Sequence, residues 1–188
     1  MKRSSIFCLI TALTVCLAQF VHAQGNQEAA KLARQGAEAA KNEEWDKAVD
    51  LFQKANELDR KNSANLAAVL QQRGTAHMTE QKFPEAVADF SEALKFKPKD
   101  ASIYERRAYV HMKLNELDKA LADYSEAIKL SPDQVRYYQI RSYIYEVKGD
   151  LKNSMTDTEK VLKMDKNNAE AKSRKTRLQT RIAQSPAP

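Results

Sequence analysis

His77 and His111 recur at the interval that also separates several small and aromatic residues, and two imidazoles returning in this way are candidates for a metal pair or a proton relay. No Cys or third His lies nearby to complete a ligand set. The pair therefore reads as two half-buried residues, each with one ring nitrogen satisfied, and no metal is expected. Glu116, Asp118, Asp123 and Glu126 carry carboxylates suited to acid–base work. On a helix they fall on an outward face, with Lys119 and Lys129 as partners, rather than as an isolated buried pair. The four glycines build no phosphate-cradling loop, and no Ser, His and acid have the spacing of a nucleophilic triad. These residues imply neither catalysis nor a cofactor, so the chain reads as a non-enzyme.

Both cysteines, Cys8 and Cys16, lie in an N-terminal stretch unlike the rest. Lys2 and Arg3 give it a positive start, Ile6 to Val21 is mainly apolar, and Val21-His22-Ala23 puts a small residue before a cut. Residues 1–23 read as a secretory signal peptide, removed between Ala23 and Gln24; a retained anchor is the alternative. Val15 before Cys16 argues against lipidation. Export to the periplasm or cell envelope, or secretion, is expected, with a mature chain free of thiols and not spanning a membrane. The net charge of +6 is uneven. Gln24 to Glu159 holds 21 basic against 23 acidic residues, whereas Lys160 onward holds eight basic residues against Asp165 and Glu170.

The elements that must position all these residues follow from one periodicity. Gly74, Ala86, Phe90, Ala93 and Pro98 return in the same order and spacing as Ala108, Ala120, Tyr124, Ala127 and Pro132. A period of this length, about 34 residues, means stacked helical hairpins, each too small to bury its apolar face alone. Four units result, at 29–62, 67–100, 101–134 and 135–168, filling a repeat region of 24–168. The first spacing is four residues longer, so Ser63 to Leu66 should lengthen the third helix by a turn, with Asn62 or Ser63 as its N-cap. Asn115 breaks the helical pattern within a unit and Ser131-Pro132 ends it. Residues 169–183 form a basic capping helix with Ala171, Lys175, Leu178 and Ile182 in its stripe, and 184–188 a disordered tail.

On these residues the chain resembles the tetratricopeptide repeat family. Its small, aromatic, Ala, aromatic, Ala and Pro pattern is met by Gly74, His77, Ala86, Phe90, Ala93 and Pro98, and by Ala108, His111, Ala120, Tyr124, Ala127 and Pro132. The first unit matches well, although Arg60 replaces Pro, and the fourth is degenerate, with Ser142, Ser154, Thr158, Val161 and Lys166. The resemblance implies an all-α, right-handed solenoid whose first helices line a concave surface. It thereby points to a groove of Gln71, Gln72, Met78, Arg106, Tyr109, Met112, Arg136, Gln139, Ile140 and Tyr143. Such a wall suits an extended peptide or a helix, with the apolar side chains excluding water and Arg106 and Arg136 choosing acidic or C-terminal groups. The family's chaperone-tail clamp is not reproduced: Ala33, Ala37 and Gln72 replace its Lys and Asn residues, and only Arg106 of its final pair is kept.

The expected role is a protein-interaction module or scaffold of the cell envelope, with self-association by stacked end hairpins left open. The alternative is an electrostatic tether to lipid, cell-wall polymer or nucleic acid through Lys172, Arg174, Lys175, Arg177 and Arg181, taken as facing water. Nucleic acid is disfavoured, since no aromatic residue follows Tyr145.

Overall fold

The computed structural model describes the backbone of residues 2–184 and the side chains of residues 22–184. The described residues are helical, with no strand: α1 (Lys2–Lys41), α2 (Trp45–Leu58), α3 (Ser63–Thr79), α4 (Phe83–Phe96), α5 (Ala101–Lys113), α6 (Leu117–Leu130), α7 (Val135–Val147), α8 (Leu151–Met164) and α9 (Ala169–Gln184). The fold is all-α, a helical solenoid built of hairpins. Two compact units are distinguished, residues 1–73 and 74–188, the division falling inside α3. The side chains of the expected leader lie outside the described residues up to Val21, as does the tail from Ser185. Among the described residues no helix is long and apolar enough to cross a membrane.

In the first unit α1 and α2 form a hairpin whose contact residues are small. Ala29, Ala39, Ala48 and Ala55 are buried, and a Cβ on Gly36 would stand only 3.0 Å from the Phe52 ring. Absence of that carbon is what lets the helices approach. The four additional residues do extend α3, which has 17 residues against 13 in α5 and in α7. Asn62 does not cap it, however. Its Nδ2 donates to the carbonyls of Ala55 and Asp59, closing the end of α2.

Each hairpin turns through one residue in the left-handed region: Glu43, Gln81, Asn115 and Gly149. In all four turns the next amide reaches back into the helix, Glu44 donating to Ala39, Lys82 to His77, Glu116 to His111 and Asp150 to Tyr145, at 2.8–2.9 Å. These bonds satisfy carbonyls that the helix end leaves unpaired.

In the second unit the helices α5, α7 and α9 begin at equal intervals, at Ala101, Val135 and Ala169, so α9 takes the register of a first helix. Val110, Ile144 and Leu178 occupy one repeat position and all are fully buried. Ala108, Ala120 and Ala127 are also sealed, and the Tyr124 and Tyr137 rings meet at 6.4 Å between hairpins.

One polar device recurs across this core. Arg107 grips Asp123 with two hydrogen bonds, of 2.8 and 2.7 Å, and donates a third to Ser91 Oγ at 3.0 Å. Arg141 does the same with Asp157, at 2.7 and 2.8 Å, and with Ser125, at 3.0 Å. Each arginine thus ties its own hairpin together and joins it to the preceding one. The rigid guanidinium fork suits a bidentate carboxylate, and both arginines are held even more firmly protonated by it. Asp123 is accordingly buried rather than outward-facing; of the expected surface pairs, Lys119 with Glu116 and Lys129 with Glu126 form at 2.8 and 2.5 Å.

Candidate functional site

The inner faces of α5, α7 and α9 converge on a pocket of about 380 Å³ in the second unit. Tyr109 and Met112 from α5 line it with Arg136, Gln139, Ile140 and Tyr143 from α7. Six of the ten residues carried over for the groove therefore meet in one place. Tyr124 of α6 and Glu170 of α9 complete the lining, and the repeat pattern alone does not point to either. The helical repeat explains the convergence. Tyr109 and Tyr143 share a repeat position, and each lies between two sealed residues, Ala108 and Val110 or Ser142 and Ile144, whose combined direction on the helix is opposite to its own, so it points outward.

The walls differ in exposure and in what holds them. Tyr109 is 38 % exposed and Tyr143 48 %, a large open aromatic area for a water-facing surface. Lys113 Nζ lies 5.2 Å from the Tyr109 ring centre, and the Arg174 guanidinium 5.9 Å from that of Tyr143. Met112 and Ile140 are half-buried against the core between hairpins. Gln139 Nε2 donates to Asn168 Oδ1 at 3.3 Å, fixing that amide to the start of α9.

Charges around the pocket are already paired. Arg136 meets Glu105 at 3.2 Å, and Glu170 accepts from Arg174 at 2.7 Å. Arg106 donates to Thr75 Oγ1 at 3.2 Å and does not line the pocket. Burial, followed by the nearby Glu105 carboxylate, holds the Tyr124 phenol well above its usual range and raises that of Tyr137, so both keep their protons at neutral pH.

The remaining groove residues fall elsewhere. Met78 is half-buried in the part of α3 that belongs to the second unit. Gln71 and Gln72 belong to the first unit, the former half-buried and the latter exposed.

The basic helix departs from its expected form. Arg174 does not face water: it is 4 % exposed, donates to the Gln139 carbonyl at 3.1 Å, and lies 3.3 Å from Glu146. Arg177 forks onto the same carboxylate at 2.7 and 2.9 Å, and Arg181 approaches it at 3.5 Å. Lys175 leaves the expected apolar stripe to pair with Glu159 at 2.9 Å, while Lys172 is exposed. Glu146 is buried, and the Arg177 hydrogen bond, followed by the charges of all three arginines, holds its carboxyl below the usual glutamate range. Buried charge of one sign demands the other, and the sequence conceals this partner because it lies on α7. The stripe of α9 is Ala171, Arg174 and Leu178, with Ile182 left 45 % exposed.

Neither histidine sits in a ligand set, and no group of three or more His, Cys, Asp or Glu able to hold a metal occurs among the described residues. His111 is buried with Nδ1 2.6 Å from Glu116, and His77 Nδ1 lies 3.1 Å from Asp89 without hydrogen-bond alignment.

Comparison with known proteins agrees with this architecture. Two family models, each described as tetratricopeptide repeat, match residues 72–135 and 135–168, together just over half of the chain. Similar solved structures include a tetratricopeptide repeat protein from Parabacteroides merdae, at 22% identity and TM-score 0.65, covering 84% of this chain and 61% of that one. YrrB, a TPR protein with an unusual peptide-binding site, is 20% identical at TM-score 0.65, over 87% and 82%. The first TPR of Spaghetti (RPAP3), bound to the HSP90 peptide SRMEEVD, is 22% identical at TM-score 0.59, over 64% and 95%. No curated protein matches in sequence. With hairpins in one repeating register and both models falling on them, the chain belongs to the tetratricopeptide repeat family.

Proposed function

We propose that this chain is an exported, non-enzymatic interaction module of the cell envelope that holds a peptide or helix of a partner protein against α5, α7 and α9. One observation carries the reading: six residues chosen for their repeat positions line a single pocket with two open tyrosines. Two of the similar structures are of a peptide-bound and a peptide-binding protein, which supports a segment of polypeptide as the occupant. Tyr109, Tyr143, Met112 and Ile140 supply water exclusion. Arg136 and Arg106 are already engaged by Glu105 and Thr75, so they orient the segment more than they demand an acidic one. The tether reading loses ground because Arg174 is buried, and Arg177, Arg181 and Lys175 are paired with acids of the chain itself, Glu146 and Glu159. Export rests on the composition of residues 1–23.

The test is capture from envelope extract by the full chain beside its Tyr109→Ala/Tyr143→Ala variant, at low and high salt. We expect one discrete protein held through high salt by the wild type alone, with equal helicity in both chains. Material eluting with salt from both alike would instead move the function to α9. Fractionation with N-terminal sequencing should place a chain starting at Gln24 outside the cytoplasm; recovery from the cytosol alone would refute export.

A further inference from the structure

Tyr124 carries an atom that the repeat does not need. Phe52, Phe90 and Tyr124 share one repeat position, and Phe90 is fully buried there with no hydroxyl. The ring fills the hairpin; the oxygen is additional. Tyr124 is 1 % exposed, and its hydroxyl makes no hydrogen bond within the described residues, where electrostatic influence comes from Glu105, Arg136, Tyr137 and Tyr109. Sealed side-chain polar atoms without an aligned hydrogen bond are, among the described residues, His77 Nδ1 and Arg174 Nε, each beside a carboxylate. The Tyr124 hydroxyl is not one of them, so the little exposure it keeps includes the oxygen, and the space this residue lines is the pocket. Tyr124 is also the most buried of the lining residues, which sets it at the pocket's deep end.

A phenol at the end of an apolar shaft specifies its ligand. An all-hydrocarbon side chain entering there would strip the hydroxyl of water and return nothing, a penalty that makes such sites reject ligands lacking the matching group. The phenol keeps its proton, so it donates, and the complement is an acceptor oxygen. Charge narrows the choice further: Glu105 and Glu170 flank the pocket, each paired with one arginine, leaving the lining balanced. An anionic tip would meet two carboxylates and a cationic one two guanidinium groups.

We infer that Tyr124 is a specificity-determining residue of this groove, selecting a partner segment anchored by a neutral side chain with a hydrocarbon body and an oxygen tip, such as tyrosine or glutamine. This rests on the groove binding a polypeptide segment, as proposed above. The wall tyrosines provide contact area and the Tyr124 hydroxyl reads the tip.

The full chain is panned against immobilised random dodecapeptides, and the best enriched peptide is resynthesised with Tyr, Gln, Phe or Leu at its anchor. The wild type should prefer the oxygen-tipped anchors by about tenfold, one hydrogen bond's worth. Tyr124→Phe should keep its melting temperature to within about 2 °C, because Phe already serves at this position in Phe90. Its preference should reverse toward Phe and Leu, a change that a merely structural role would not produce. Two results overturn the inference. If binding depends on Tyr109 and Tyr143 but the anchor preference is the same in wild type and Tyr124→Phe, the groove stands and the role of Tyr124 falls. If no peptide is enriched, or binding ignores Tyr109→Ala/Tyr143→Ala, the groove reading fails and this inference with it.

Discussion

The hairpins α5–α6 and α7–α8 share a backbone plan and differ in what fills it. Ala108, Ala120, Tyr124 and Ala127 make the first interior apolar, whereas Ser142, Ser154, Thr158 and Val161 occupy the same positions in the second and are equally buried. The hydroxyls are not left idle. Ser142 and Thr158 oxygens meet at 2.8 Å, Ser154 donates to the Ser142 carbonyl and Thr158 to that of Ser154, each at 2.8 Å. Arg174 then reaches in from α9, 3.5 Å from Ser142 Oγ. The contrast shows what a repeat position answers to, which is its neighbour. A hairpin followed by another hairpin seals itself with methyl groups, and one followed by a lone basic helix keeps oxygen atoms for it to bond.

Removing the helix's anchor should break this contrast most severely. Arg174→Ala is expected to cost about 2–3 kcal/mol in urea unfolding, because it removes the buried guanidinium that joins Glu146, Glu170 and the Gln139 carbonyl, while Arg177 still holds Glu146; a loss under about 1 kcal/mol would mean that α9 is held by Leu178 and Ala171 alone. The same site sets an acid limit. Since the folded carboxyl of Glu146 lies below its ordinary value, its contribution is complete above the usual glutamate range and disappears as pH falls through the lowered folded value. Amide exchange in α9 should therefore rise steeply with acid below about pH 4, and Glu146→Gln should flatten that dependence.

Where the hairpins are alike, their responses should match. Arg107→Ala and Arg141→Ala are each expected to cost about 1.5–3 kcal/mol, since both leave a buried aspartate without its fork; unequal losses would show that the staple is context-bound. Where they differ, substitutions should be non-additive. Thr158→Val alone should cost about 1–2 kcal/mol by orphaning Ser142, while the Ser142→Ala/Thr158→Val double variant should recover most of it. The smallest effect belongs to the turns. Gln81→Gly should stabilise by about 0.5–1 kcal/mol in the same unfolding measurement, as the left-handed backbone there suits glycine, which Gly149 already supplies in the last hairpin.

Period and small residues are enough to read the hairpins from sequence, since these are a local matter of spacing, and the resemblance to the family adds the two exposed tyrosines. Asn115 stops its helix because it takes the left-handed turn, and Tyr109 faces outward because Ala108 and Val110, on both sides of it, face in. Arg174 reads wrongly as solvated for the opposite reason, although Lys172, Arg177 and Arg181 of the same helix are exposed as expected. Counting charges along the chain treats Arg174 as free, and only the register that sets α9 beside α7 brings it to Glu146. Asp123 hides among surface acids although a signal exists: Arg73, Arg107 and Arg141 return at the repeat interval together with Asp89, Asp123 and Asp157, so that an arginine and an aspartate of opposite charge keep one fixed separation. Tyr124 escapes notice because its ring so fully explains its place that the oxygen goes unasked.

Arg107 finds its acceptors 16 residues to either side, and Arg141 repeats that offset. Such a bond is written in differences, never in addresses. Excise residues 107–140, and Arg141 inherits Ser91 as its upstream acceptor while keeping Asp157. Insert one further period of the same grammar, and the new arginine finds both hands taken. The α9 end reads by the same rule with other letters, Lys175 reaching back 16 residues to Glu159 where Arg141 reaches back to Ser125. Length, in this chain, is a quantity that can be edited in whole periods without rewriting a single contact rule.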